Sequence, residues 1–120
     1  MNLLKVTLPK AAHVLLLEDS DMRIEWFKKR IPKLDVCKSV QEFKTFFENK
    51  QHTDFIFYDY DLGSPETGVD AAKYMAEHFS NANCWGLVHS WNRPGADAIR
   101  TYLPRLQHIP FGDFEVEVEQ

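Results

Sequence analysis

Three short apolar runs, each ending in polar or charged residues, constrain the fold of this chain more than any other feature. They are residues 13–17 (HVLLL), 55–58 (FIFY) and 85–89 (WGLVH). A continuous apolar run of this length is typical of a strand buried on both faces, as in a parallel sheet. The segments between the runs carry apolar residues at helical spacing. This alternation predicts βαβ units and therefore a mainly parallel sheet flanked by helices.

Start and stop signals predict four helices and two further short strands. Candidate helix caps, in chain order, are Ser20 or Asp21, Ser39, Thr67 and Asn92. The predicted inward faces are Ile24, Phe27 and Ile31; Val40, Phe43 and Phe47; Val69, Ala72, Ala76 and Phe79; and Ala96, Ile99, Leu103 and Leu106. Ser39 and Glu42 have the spacing of a capping box. Short strands are expected at 35–38 and 108–111, and Pro32 and Pro104 end the first and last helices.

Both ends of the chain differ from its middle. Apolar and polar residues alternate at Leu4, Val6 and Leu8, and again at Phe114, Val116 and Val118. This period predicts strands with one buried face, which we interpret as antiparallel edge strands, with Lys5 facing the acids of the C-terminal segment. The alternative is two frayed tails. The expected organisation is one domain over 1–120, with a core at 13–111 and edge strands or tails at 1–10 and 113–120.

Composition excludes several classes of protein. The chain has 120 residues and a formal net charge of -4, which argues against a large nucleic-acid surface. No apolar run approaches the roughly 18 residues of a membrane-spanning helix, so no membrane association is expected. Cys37 and Cys84 fit no metal or redox spacing and predict reduced thiols. We therefore expect a cytoplasmic location. Trp26 and Trp85 are expected to be core residues.

Chemistry-bearing residues follow each of the three strands. They are Glu18 and Asp19, Asp59 and Asp61, and His89 and Ser90. Ligands of open α/β sheets bind beyond the carboxyl ends of the strands, so these side chains are expected to converge. Clustered carboxylates repel one another and favour a bound cation, here Mg²⁺ or Mn²⁺. Simpler interpretations stay open: Asp59 can cap a turn, His89 can be a satisfied core residue, and Ser90 can shape a loop.

The runs LLLEDS and FIFYD resemble the receiver domain of response regulators. The resemblance implies a flavodoxin-like three-layer sandwich with a central parallel sheet, in which Glu18 and Asp19 match the Mg²⁺-binding acid pair and Asp59 the phosphoryl acceptor. Two features differ from that family. Ile109 stands where receivers have a lysine, and the last helix is missing and replaced by a C-terminal strand.

A narrower resemblance rests on two stretches. Asp59-Tyr-Asp-Leu-Gly63 is the first, and His89-Ser-Trp-Asn92 followed by Gly95-Ala96 is the second. They are similar to the D-x-D-L-G and H-S-x-N-x-x-G-A patterns of the cyclic-phosphate-processing receiver group. The resemblance implies action on cyclic phosphates at RNA ends.

Three functions are compatible with these residues. The first is a metal-dependent phosphoesterase of cyclic phosphates, acting on an RNA 2′,3′-cyclic-phosphate end or a cyclic nucleotide. Its metal would be held by Glu18, Asp19 and Asp59. Asp61 or Glu18 would orient the attacking water or act as the base, and His89 would be an acid with a raised pKa. Ser90 and Asn92 would bind the phosphate. The second is a phospho-acceptor module. The third is a non-catalytic protein that binds a phosphorylated small molecule or another protein, with a homodimer through the edge strands as a further possibility.

Overall fold

A computed structural model describes residues 3–79 and 85–120. Within them the strands are β1 (Leu4–Leu8), β2 (Val14–Leu17), β3 (Leu34–Cys37), β4 (Phe55–Tyr58), β5 (Trp85–Val88), β6 (Gln107–His108) and β7 (Phe114–Val118). The helices are α1 (Asp21–Lys28), α2 (Val40–Glu48), α3 (Gly68–His78) and α4 (Arg93–Tyr102). The three strongest strand predictions match β2, β4 and β5 to within one residue.

The central sheet has five parallel strands in the order β3-β2-β4-β5-β6. The continuous apolar runs form its middle strands because these are the strands that are covered on both faces. All four residues of β2 and of β4 are buried. The sequence prediction of a mainly parallel sheet is confirmed.

Helices and a strand pair cover the two faces of this sheet. On one face Leu15, Ile56 and Val88 pack with residues of α2, α3 and α4. On the other face Leu16 and Phe57 pack with α1 and with the buried residues of β1 and β7. Two clusters, one on each face, make the three-layer sandwich that the resemblance implied.

The C-terminal segment is a strand, as predicted, but its pairing was predicted wrongly. β7 pairs with β1 in parallel, in a separate two-stranded sheet, with Leu4 opposite Phe114 and Leu8 opposite Val118. Alternation reports only that one face is buried and is the same for both strand directions. Lys5 does reach an acid of β7, because its Nζ is 3.1 Å from Glu117 Oε2.

This strand pair takes the place of a helix on the α1 face. Phe114 is buried and its ring stacks on Phe57 of the central sheet, with centroids 6.0 Å apart. Arg30, in the turn after α1, pairs with Glu115 and lies over the Trp26 ring. Apolar cover and an ion pair therefore attach β7 to the domain, which rules out frayed tails.

The helix caps largely follow the predictions. Ser20, Ser39, Thr67 and Asn92 each accept a hydrogen bond from a backbone N–H of the first turn. Glu42 accepts from the Lys38 N–H, so the predicted box at Ser39 is only half formed, whereas Thr67 forms a complete box.

The inward face of α3 was assigned one step out of phase. The buried residues are Gly68, Ala71, Ala72 and Met75, whereas Phe79 is exposed. Two adjacent alanines permit either phase, and the packing of α3 against α4 selects the one in which Gly68 is buried.

Several smaller predictions concern single residues. Trp85 is 64% exposed, so its assignment to the core was wrong. Trp26 is partly buried against α1-face residues. Cys37 is buried, which raises the pKa of its thiol to about 12, and Cys84 lies outside the described residues. Within the described segments, no helix has the length and apolar character needed to cross a bilayer.

Candidate functional site

The strands β2, β4 and β5 end level with one another. Leu17 is in register with Tyr58, and Tyr58 with Val88. The backbone pairing continues for one residue, since Asp59 N–H donates to Leu17 O and His89 N–H to Tyr58 O. The next side chains, those of Glu18, Asp59 and His89, therefore lie side by side. One potential ligand atom from each lies within 4.8 Å of the others.

Glu18 is the most heavily hydrogen-bonded residue of this cluster. Its Oε1 is 2.9 Å from His89 Nε2 and 3.6 Å from Arg23 Nη1, and its Oε2 accepts from the backbone N–H groups of Asp19 and Ser20. Burial alone would raise the pKa of Glu18, but the donors from His89 and the backbone outweigh burial and leave that pKa lowered. Glu18 is therefore a buried carboxylate whose lone pairs are mostly used.

His89 is a core residue, and it is not the accessible acid of the phosphoesterase interpretation. It is 0% exposed and packs edge-on against the Phe27 ring, with centroids 5.4 Å apart. Burial lowers its pKa more than the Glu18 hydrogen bond raises it, so the predicted upward shift was wrong. A neutral imidazole donates from Nε2 to the ionised Glu18, which leaves Nδ1 as a buried acceptor without a described partner.

The reason for this burial is the period of a strand. Side chains alternate between the faces of a sheet, so His89 lies on the same face as Leu87, toward α1. The imidazole contacts the rings of Phe27 and Phe57, which belong to the core of that face. The imidazole therefore contacts the acid cluster only through Glu18.

Asp59 and Asp19 carry the carboxyl groups whose ionisation is most disfavoured. Asp59 is 4% exposed, and burial together with the charge of Glu18 raises its pKa to about 8. The carboxyl groups of Asp59 and Glu18 share a hydrogen bond, in which Asp59 is the protonated member near neutral pH. Asp19 is exposed, but partial desolvation and the Glu18 charge still raise its pKa.

The remaining predicted site residues line a cavity into which the acid cluster opens. Asp61 is exposed at its mouth. Ser90 is buried, and its Oγ accepts from Asn92 N–H, while Asn92 Oδ1 accepts from Gly95 N–H at the start of α4. The Ser90 hydroxyl hydrogen and the Asn92 amide hydrogens remain as donors. His108 donates from Nε2 to Ser90 O at 2.7 Å and so holds this loop.

Arg23 is a site residue that sequence reasoning missed. Its guanidinium carbon lies 4.6 Å from the Trp91 ring centroid and 4.9 Å from that of Phe111, and Nη1 faces Glu18. A cation in the first turn of a helix opposes the helix dipole, so its position in α1 was the available signal. The charge is tolerated because Glu18 and two aromatic faces surround it.

The glycines of the two sequence stretches have steric reasons. Gly63 has φ +65°, and a Cβ there would lie 3.0 Å from Asp19 Oδ2. A Cβ on Gly95 would lie 2.4 Å from the Tyr60 ring. Both glycines therefore allow the Asp59–Gly63 loop to lie close to its neighbours.

Gly95→Ala is expected to lower the free energy of unfolding by about 1–3 kcal/mol, the usual cost of overpacking a tight contact. The Tyr60 ring must move away from α4, and Tyr60 lies between two acids of the site. Urea denaturation measures the change, with Asp97→Ala at an exposed position of the same helix as control. Equal or greater stability of Gly95→Ala would contradict this packing.

The cluster opens into a cavity of about 440 Å³. It is lined by Glu18, Asp19, Ser20, Met22, Arg23, Asp59, Asp61, Ser90, Trp91, Asn92 and Phe111. A larger cavity of about 560 Å³ lies at the opposite ends of β4 and β5 and has no carboxylate in its lining. The chemistry of the site therefore belongs to the smaller cavity.

Fold and strand-end acids together define a receiver-type α/β domain. A model of the cyclic-phosphate processing receiver domain matches residues 14–105, and the chain belongs to this family. Among curated proteins, none matches significantly.

Solved receiver structures share the fold at low sequence identity. The phosphorylated cyanobacterial phytochrome response regulator RcpA aligns with TM-score 0.68 and 14% identity over 82% of this chain and 79% of its own. The receiver domain of the Arabidopsis thaliana histidine kinase CKI1 with Mg²⁺ aligns at 0.56 and 16%, over 84% and 83%. The response regulator domain of Thermotoga maritima CheB aligns at 0.56 and 19%, over 91% and 78%.

Proposed function

We propose that this protein is a metal-dependent phosphoesterase of cyclic phosphates. The observation that carries the proposal is the group of carboxyls at the ends of β2 and β4, next to Arg23 in one cavity. Acids suit a divalent cation, and the guanidinium suits a phosphate. Membership of the cyclic-phosphate processing family supports this substrate class.

The acid cluster fits a hard cation such as Mg²⁺ or Mn²⁺. Desolvation and the nearby charge of Glu18 raise the pKa values of Asp19 and Asp59, and a bound cation would stabilise the ionised carboxylates against both effects. We assign the direct contacts to Asp19 and Asp59. Glu18 keeps few free lone pairs, so its contribution is to the charge of the site and to placing its neighbours. The bound cation would polarise the phosphoryl oxygens.

The side chains of the cavity have separate roles in this proposal. Asp61 is an exposed carboxylate at the mouth and accepts the proton of the attacking water. Ser90 and Asn92 donate hydrogen bonds to the phosphate. His89 reaches the cavity only through Glu18 Oε1, 2.9 Å away, and as a neutral imidazole it positions that carboxylate, so the leaving ribose oxygen takes its proton from water.

Arg23 supplies a positive charge to the site, whereas receivers have a lysine at the place of Ile109. Ile109 is largely buried and faces the α1-side core. Arg23 comes from α1 instead, and its two aromatic neighbours restrict the guanidinium to the cavity wall. A planar guanidinium binds phosphate through paired hydrogen bonds.

The second candidate function is a protein that binds a cyclic phosphate without turnover, and one observation supports it. The complete burial of His89 removes the one imidazole that the sequence offered as a direct proton donor. The same metal and phosphate contacts would then hold a cyclic phosphate without hydrolysing it.

Asp61→Asn is expected to lower turnover of a 2′,3′-cyclic nucleotide by about 10²–10⁴-fold with little change in its binding, since a general base acts in the transition state. The assay compares Mg²⁺, Mn²⁺ and EDTA, and the control is Asp35→Asn, an exposed acid outside the cavity lining. Turnover that survives EDTA would contradict the metal. Tight metal-dependent binding without any turnover would favour the binding protein.

A further inference from the structure

Trp91 is a large aromatic residue exposed beside the acid cluster. It is 68% exposed, although it lines the same cavity as Asp19 and Asp59. No resemblance or family pattern assigned it a role, because it occupies the variable position between Ser90 and Asn92. An indole this exposed at the edge of the cavity leaves most of its apolar surface free to contact a ligand.

The ring is held rigidly although it is exposed. Its Nε1–H donates to Phe111 O at 2.7 Å, which fixes one edge to the loop after β6. The Arg23 guanidinium lies over it, 4.6 Å from the centroid, which fixes one face. An aromatic ring that is held at one edge and one face loses little conformational entropy when a ligand stacks on it.

From this arrangement we propose that Trp91 is a stacking platform for a nucleobase, so that the ligand of the cavity is a nucleoside phosphate. The inference rests on the phosphate site proposed above, which it deepens by naming the substrate class. The phosphate lies against Arg23 and the acid cluster, and the base attached to the same ribose lies on the Trp91 ring. Sequence-tolerant stacking of this kind occurs because every base has a π-face.

Charge and size both favour a single nucleotide unit. Arg23 joins the two halves of the site, because one guanidinium contacts the indole and faces Glu18. The cavity of about 440 Å³ is within the range for a small ligand, roughly 300–1,000 Å³. The exposed side chain of Met22 borders it and adds a polarizable apolar contact.

The test measures binding by calorimetry with Mg²⁺-loaded protein, using paired probes with and without a base. The pairs are adenosine 2′,3′-cyclic phosphate with glycerol 1,2-cyclic phosphate, and adenosine 3′-phosphate with glycerol 2-phosphate. Trp91→Ala is expected to weaken both nucleotides by roughly 5- to 150-fold, the range for removing one aromatic stacking partner. Trp91→Phe should keep most of the affinity, and the base-free probes should bind equally well to all three proteins.

Trp85→Ala is the matched control, because Trp85 is equally exposed but outside this cavity. Equal affinity for nucleotide and base-free probes would overturn the inference. So would an equal loss of both in Trp91→Ala, because the effect would then pass through Arg23. An oligoribonucleotide ending in a 2′,3′-cyclic phosphate separates an RNA end from a free nucleotide as the source.

These outcomes are distinct from failure of the proposed activity. Base-dependent, Trp91-dependent binding without turnover would leave the platform standing and remove the phosphoesterase. Turnover of glycerol 1,2-cyclic phosphate without any preference for the nucleotide would do the reverse.

Discussion

Asp59→Asn is expected to stabilise the metal-free protein above pH 8, and added metal is expected to reduce this advantage over the wild type. The folded protein holds a proton on Asp59 with a pKa of about 8, against an ordinary value of 3.8. Between these two pH values the folded state binds more protons than the unfolded state, so stability falls as pH rises. At about 1.4 kcal/mol per pKa unit, the cost above pH 8 amounts to a few kcal/mol. Asn does not titrate and avoids this cost.

Metal has the opposite effect because it needs the ionised carboxylate. Saturating Mg²⁺ or Mn²⁺ at about 100 times the dissociation constant should add about 2.7 kcal/mol to the wild type and much less to Asp59→Asn. Below pH 8 metal binding to the wild type must release a proton, so the apparent affinity should fall as pH falls.

Thermal melts of both proteins at pH 5, 7 and 9, with EDTA or with metal, measure these effects. Asp61→Asn controls the metal-free series, since its carboxyl is exposed. A difference between wild type and Asp59→Asn that does not vary with pH would contradict the buried proton. A metal response of the same size in both proteins would contradict Asp59 as a ligand.

His89→Ala is expected to lower the free energy of unfolding by about 3–5 kcal/mol, because it removes the buried hydrogen-bond donor to Glu18 Oε1. It also leaves a cavity beside Phe27 and Phe57. His89→Gln should recover part of this loss, since a glutamine amide can donate to Glu18. Urea denaturation measures both variants, and His52→Ala at an exposed position is the control, with an expected change within about 0.5 kcal/mol.

Turnover separates two roles for His89. If His89 only positions Glu18, the Gln variant keeps much of the wild-type rate and the Ala variant does not. If His89 is instead protonated and passes that proton through Glu18, both variants lose about 10²–10⁴-fold, because Gln cannot transfer one. A His89→Ala protein as stable as the wild type would contradict the buried Glu18–His89 pair itself.

Strand-end chemistry was predictable because it depends only on local order. A buried run such as residues 55–58 has to be a central strand, and Asp59 directly after it has to lie at the carboxyl end of that strand. The same reasoning placed Glu18 and His89, and level parallel strands brought the three together. The alternation of residues 114–118 likewise predicted the C-terminal strand, which stands where receivers have their last helix.

Tertiary structure decided which of the residues that follow the strands are buried and which are exposed to solvent. His89 and Asp61 look equally available in sequence, but His89 lies under α1 at 0% exposure and Asp61 lies in the open loop. Burial sets whether a carboxyl or an imidazole is charged, and burial is a property of the packed layers. The direction of β7 and the contact of Arg23 with Glu18 also come from packing. Alternation and spacing along the chain do not determine which residues become neighbours in the tertiary structure.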